Sequence, residues 1–250
     1  YFKTALFTAV IISGLTAQAL LGPYLYLGYP NVGNLSTWIF SGVIAVAILT
    51  GLAGSAMSKL ILVIFKWKST FRFNYQHVLY ITLCGLAIAS LAFFVDEKVF
   101  GSGKELMATT LFTAEKNVSW YTPLLRIVGP VFSFTTGGAG GIFAPALSAG
   151  ASIGSVMAEW FHLTPTDTNL LILCGMVGFL TGVTRTPFTS AILVLEMTDR
   201  HTVIFHLMLA GMVASVVSMI IDKHSFYDHL KHQYIHDIHK EDNGQEPEEK

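Results

Sequence analysis

The 250-residue sequence is 52% hydrophobic and only 12% charged, with a mean hydropathy of +0.57. A soluble domain carries roughly twice that share of charge, so the composition excludes a water-soluble globule, a disordered chain and a nucleic-acid binder, and points to lipid as the solvent. The net charge of −1 hides a split: residues 1–221 hold 11 Lys/Arg against 8 Asp/Glu, whereas residues 222–250 hold 4 against 8, together with five of the nine histidines.

The chain opens on Tyr1 rather than Met and runs at once into apolar sequence, so it is expected to be a piece of a longer protein. Thr4 to Ser58 contains no charged residue, a run too long for one span of about 20 residues. Pro23, Gly28, Pro30, Asn31, Gly33 and Asn34 break it, which predicts helices at about 4–22 and 36–66 around a loop at an aqueous face. Lys59, Lys66, Lys68 and Arg72 then form a basic cluster of the cytoplasmic kind. A helix at about 77–95 follows, then a charge-balanced outer segment around a short helix at about 104–113. Further helices are predicted at about 120–136, 143–161, 168–183, 187–198 and 202–221. Several are too short to cross the bilayer without tilt or partners, a pattern of transporters and channels. Gly51/Ser55, Gly54/Ser58 and Gly150/Gly154 are each four apart, a spacing that lets backbones approach in lipid. Cys84 and Cys174 sit in apolar runs and read as buried free thiols.

The most informative stretch is Gly137-Gly138-Ala139-Gly140-Gly141-Ile142-Phe143-Ala144-Pro145. Its glycines let the backbone turn and approach a ligand. A long apolar helix follows, and its first N–H groups have no intrahelical acceptor. With the positive end of the helix dipole behind them, they suit an anion. The alternative is a packed helix kink with no ligand. With no Lys or Arg between Ile127 and Ala158, such a site attracts anions by dipoles and releases them readily.

GGIFAP (Gly140–Pro145), then RTPFTSAILVLEMT (Arg185–Thr198), then a Tyr near the start of a final amphipathic helix resemble the second half of a CLC chloride channel or transporter. The resemblance covers almost the whole chain. It implies an all-α polytopic membrane fold of tilted, broken and short helices, the second of two inverted halves. It implies that the amides of Ile142 and Phe143, on a loop with Gly140 and Gly141, bind chloride, and that the Tyr227 hydroxyl completes the inner ion site. Ala139 departs from the family pattern, where Pro is frequent, without removing an amide. The resemblance further implies a homodimer joined through the first helix and the helices at 187–198 and 202–221. The partners it implies are chloride, the lipid bilayer, an N-terminal half of the same transport unit and, for an exchanger, protons. No catalytic residue and no cofactor is expected, chloride being the transported ligand. The N-terminal half would bring a Ser-containing helix start and the gating and proton-carrying glutamates, none of which matches a segment here. Channel and exchanger are both compatible with these residues.

The expected organisation is a transmembrane domain over 1–221, an amphipathic cytoplasmic-side helix over 222–240, and a disordered acidic tail over 241–250. Tyr227, Leu230, Tyr234 and Ile238 share one face of that helix, which should pack into the body. His229, His232, His236 and His239 share the opposite face. His232 and His236 are an i, i+4 pair able to hold Zn²⁺, though a solvated polar face is the plainer reading. Glu196, a lone acid in an apolar helix, reads as a carboxylate satisfied at a helix–helix contact, or else as a proton relay. Two rivals are carried alongside: another anion porter using the same dipole logic, and an intramembrane serine hydrolase. The latter would use Ser152 of the GxSxG match Gly150–Gly154, with His206 as base.

Overall fold

The computed structural model describes residues 2–22, 25–33, 35–95, 101–114, 116–138, 140–231 and 235. Among them the long regular elements are all α-helices: α1 (Phe2–Leu21), α2 (Ile39–Lys68), α3 (Asn74–Phe94), α4 (Lys104–Phe112), α5 (Thr122–Thr135), α6 (Phe143–Trp160), α7 (Pro165–Thr184), α8 (Pro187–Thr198) and α9 (Ile204–Ile221). A 3₁₀ turn, His201–Val203, leads into α9. Residues 226–231 form a final helical segment. Each predicted helix up to residue 221 has its counterpart within a few residues. Tyr234, Ile238, His232, His236, His239, Ala139 and the tail after residue 240 lie outside the described residues.

Among the described residues, five helices are long and apolar enough to cross a membrane: α1, α2, α3, α7 and the 3₁₀ turn with α9. They use their apolar surface differently. α7 is apolar on all sides, and its residues from Asp167 to Thr184 are all buried, so it is the central post of the fold. α1 buries none of its residues and α3 buries only Cys84, leaving rows of large apolar side chains to face lipid or another protein surface.

The order around the post follows from small residues. A Cβ added at Gly150 of α6 would collide with the Gly175 carbonyl of α7, and one at Gly154 would lie 2.5 Å from Leu171 O. α6 and α7 therefore run antiparallel with backbones in contact. On the other side of α7, Gly178 meets Thr50 and Gly182 meets Gly51 and Ser55, so α2 runs parallel to it. Gly51 also meets Ala214 of α9, its Cβ position 2.8 Å from that Cα. The small residues picked out in the sequence are thus the crossing points of α2, α6, α7 and α9. Three hydroxyls in this core are satisfied within their own helix: Thr50, Ser58 and Thr184 each donate to the carbonyl four residues back.

The loop before α2 is strapped down rather than free. Leu27 and Val32 are buried. Leu27 N–H donates to Met197 O at 3.0 Å, Asn169 Nδ2 to Asn31 O at 2.8 Å, and Ser36 N–H to the Asp167 carboxylate at 3.1 Å. These bonds tie the loop to the start of α7 and the end of α8. Both cysteines are buried free thiols.

Candidate functional site

α6 begins where the Gly-rich break ends. Its first helical bond outside the regular ladder is Ala146 N–H to Ile142 O at 3.0 Å, so the N–H groups of Ile142, Phe143 and Ala144 precede the ladder. Ile142 is 2% exposed and anchors the turn in the core. Gly140 and Gly141 are exposed, and a Cβ at either would meet nothing within 4 Å. The space beside both glycines is therefore open.

Phe143 and Tyr227 meet there. They are 84 residues apart in sequence, yet their ring centroids are 6.5 Å apart at an interplanar angle of 40°. Tyr227 is 43% exposed. The burial it does have pushes its phenol above the ordinary value, so it remains a protonated donor at neutral pH.

Tyr227 is placed by three features. A capping box opens the helical segment: Ser225 N–H donates to Asp228 Oδ2 at 3.0 Å, and Asp228 N–H donates to Ser225 Oγ at 3.1 Å. Phe226, 3% exposed, sinks into the core, and Leu230 packs against it. The inward face is therefore centred on Phe226 and Leu230, with Tyr227 at its edge. The expected face of Tyr227 and Leu230 omitted Phe226, which holds the segment down.

The third feature is Arg185. It closes α7 with a left-handed backbone, φ 60°. Its guanidinium donates to Ser55 Oγ at 2.9 Å, Ser218 O at 3.1 Å, Asp222 O at 3.0 Å, and Gly182 O. One side chain thereby gathers the middle of α2 and the C-terminal ends of α7 and α9. Burial lowers the Arg185 pKa, and the nearby Asp222 charge works against that shift. Burial acts to raise the Asp222 carboxyl, but the His224 N–H, His229 and Arg185 outweigh it, and the group lies below its ordinary value. Arg185 stood in the RTPF motif without a role assigned to it. A lone cation between two apolar helices was the signal that could have found it.

Folding also brings cations to the Gly-rich break, which the local sequence did not foresee. Arg126 of α5, 3% exposed, lines a cavity of about 250 Å³ together with Gly140, Gly141 and Pro145. Lys68 Nζ donates to Thr135 O at 2.7 Å, complementing the C-terminal end of α5, and lies 3.9 Å from the Cβ position of Gly137. The expectation that helix dipoles act without a nearby full charge is corrected: both cations arrive from outside the 127–158 window.

The rival sites fare differently. Ser152 is fully buried inside α6 and its hydroxyl donates to Ala149 O at 2.7 Å. It has neither the exposure nor the strand–turn–helix elbow that a serine nucleophile needs. His206 stacks on Phe40, with centroids 4.6 Å apart. Glu196 faces outward from α8 and is exposed, not held in a contact between helices of this chain. His229 does not stand only on a solvated face: its Nε2 lies 2.9 Å from Asp222 Oδ2, and its ring meets that of His224.

Comparison with known proteins places these features in a family. The profile described as "Voltage gated chloride channel" matches residues 2–219. The voltage-gated ClC-type chloride channel ClcB of Salmonella typhimurium is 25% identical over 257 residues, covering 89% of this chain and 58% of that protein. The H(+)/Cl(-) exchange transporter ClcA of Cronobacter sakazakii is 32% identical over 108 residues, covering 42% of this chain and 23% of that protein. Two solved structures share the fold. One is a slow cyanobacterial Cl-/H+ antiporter, with TM-score 0.73 and 20% identity, over 90% of this chain and 53% of that one. The other is a CLC-type fluoride/proton antiporter, with TM-score 0.71 and 21% identity, over 85% and 51%. The chain thus spans about half the length of the structures it matches. With its profile match over most of its length and its all-helical fold of apolar spans, the chain belongs to the voltage-gated chloride channel (CLC) family.

Proposed function

We propose that this chain is the anion-binding half of a chloride transport unit in the membrane. Chloride is held by the amides of Ile142 and Phe143 at the start of α6 and by the Tyr227 hydroxyl, with Gly140 and Gly141 shaping the turn. The observation that carries the reading is the meeting of Phe143 and Tyr227 at an open helix N-terminus. No covalent step is involved. Amides and a hydroxyl replace part of the ion's hydration shell, and Arg126 and Lys68 raise the local anion concentration without closing on the ion.

The reading includes a second, N-terminal segment facing this one across the ion path, and a homodimer formed through the outward faces of α1, α8 and α9. In the membrane, the end of α2 that carries Lys59, Lys66, Lys68 and Arg72 faces the cytoplasm, as do Asp222 and the segment bearing Tyr227. The transmembrane part ends near residue 221, and residues 222–240 lie on the cytoplasmic side.

The test is chloride binding and ³⁶Cl uptake by liposomes containing the complete transport unit. Tyr227→Phe removes one hydrogen bond to a charged ligand, about 1.5 kcal/mol, and should weaken chloride binding roughly tenfold. Unchanged affinity and selectivity would sink the assignment of Tyr227. Proton movement driven by a chloride gradient identifies an exchanger, and its absence a channel.

A further inference from the structure

A second constellation lies one turn from Tyr227 and takes no part in the anion site. Asp222 leaves α9 in an extended conformation, φ −151° and ψ 136°. The chain turns over residues 223–225, and the capping box restarts the helix. The turn folds His224 back, so that Asp222, His224 and His229 each offer one ligand atom, all within 4.8 Å of one another. His229 Nε2 and Asp222 Oδ2 are 2.9 Å apart, and the two imidazoles are 5.6 Å apart between centroids.

We propose that Asp222, His224 and His229 bind a divalent transition-metal ion of the zinc class, which fastens the segment bearing Tyr227 to the end of α9. Two imidazoles and one carboxylate are borderline donors suited to Zn²⁺, and too nitrogen-rich for Mg²⁺ or Ca²⁺. Tetrahedral zinc with bonds of about 2.0–2.1 Å separates its ligand atoms by roughly 3.3 Å. The present ligand atoms, within 4.8 Å of one another, bracket that value. The surroundings hold the ligands in place. The His224 N–H donates to Asp222 Oδ1 at 3.0 Å, orienting the carboxylate and leaving Oδ2 toward His229. Arg185 takes the Asp222 main-chain carbonyl, so its guanidinium does not occupy the ligand oxygens. His224 is exposed and the other two are half-buried, which leaves an entry path and a fourth position for water. The sequence pointed instead to His232 and His236, a pair outside the described residues. The tertiary cluster adds what a single helix face lacks, a carboxylate on a separate segment.

Three ligands spanning two segments make the ion a clamp. Bound metal fixes the angle between α9 and residues 226–231, and hence the distance from Tyr227 to the start of α6. This last step rests on the chloride reading above; the metal site itself does not.

Calorimetric titration of the detergent-purified protein with zinc chloride tests the site. One ion per chain should bind at micromolar concentration, with no comparable heat from magnesium chloride. His224→Ala and His229→Ala should each weaken binding at least tenfold, while the His232→Ala/His236→Ala double variant leaves it intact. His224 is exposed, so its variant remains folded, as a monodisperse size-exclusion profile would verify. Absence of micromolar binding, or binding lost only in the double variant, would overturn the site. Substituting Co²⁺ should give intense visible bands of a tetrahedral centre in the wild type and not in His229→Ala. Zinc should change ³⁶Cl uptake in the wild type but not in His224→Ala. If zinc binds and uptake is unchanged, the site stands and the clamp on Tyr227 is refuted.

Discussion

Replacing Gly150 with alanine is expected to destabilise the protein by about 3 kcal/mol, at the upper end of what overpacking costs. The added methyl would press on the Gly175 carbonyl, with the Gly175 carbonyl carbon at 2.7 Å and Met176 Cα at 2.9 Å. None of these is the flexible tip of a side chain, so α6 and α7 must separate. The separation would move the start of α6 away from Tyr227 and reduce chloride uptake as well as stability. Thermal unfolding in detergent should show a midpoint lowered by about 10 °C, taking 2–4 °C per kcal/mol for a domain of this size. Gly85→Ala on α3 is the matched comparison, since nothing lies within 4 Å of that Cβ position. It should leave the midpoint unchanged or raise it slightly, because alanine is the better helix former by about 0.5–1 kcal/mol. Equal effects from the two substitutions would remove the close α6–α7 crossing as the explanation.

Arg185→Ala is expected to be at least as damaging, at about 3–5 kcal/mol. Each hydrogen bond from a charged donor contributes roughly 1.5–3 kcal/mol, and four made by one guanidinium are not additive. The substitution takes the guanidinium donor from the Gly182 and Asp222 carbonyls, while Ser218 O keeps the Asp222 N–H and the Ser55 hydroxyl. Lysine should restore less than half of the loss, since an ammonium cannot reach acceptors spread as a planar fork reaches them. Glycine should be milder than alanine by about 1 kcal/mol, because it relaxes the φ of 60° that alanine would still carry. If lysine fully rescued both midpoint and uptake, Arg185 would be acting as a charge and not as a fork. Comparing the three variants by thermal unfolding and ³⁶Cl uptake decides the matter.

Legibility in the sequence followed the range of the interactions. The helices were readable because lipid forbids unpaired backbone: charge-free runs had to be helical, and Gly/Pro clusters had to end them. The start of α6 was readable for the same reason, since glycines followed by Ile142, Phe143 and Pro145 mark both the break and the new helix. The crossing points at Gly51, Gly54, Gly150 and Gly154 were visible as a spacing, but the partner helix at each was not. What was lost came from distant segments. Arg126 and Lys68 reach the Gly-rich break from α5 and α2, and no window around residues 137–145 contains them. The histidine grouping read from helical periodicity began at His229 and left out His224. The helix restarts at residue 226, so His224 belongs to the turn before it and pairs with His229 through the tertiary fold. Phe226 was overlooked because the aromatic beside it, Tyr227, carried the motif.

The composition of α6 also constrains how the protein is made. It has 18 residues, but its serines, glycines and Glu159 keep it out of the group of helices apolar enough to cross a membrane. A segment of that kind gains little by partitioning into hydrocarbon alone. Only residues 161–164 separate it from α7, which does qualify. During synthesis the two are therefore expected to enter the bilayer together as a helical hairpin, with α7 supplying the partitioning energy and the Gly150–Gly175 contact closing the pair. A substitution that loosens that contact would then show first as misinsertion in the cell, before any loss of transport by the molecules that reach the membrane.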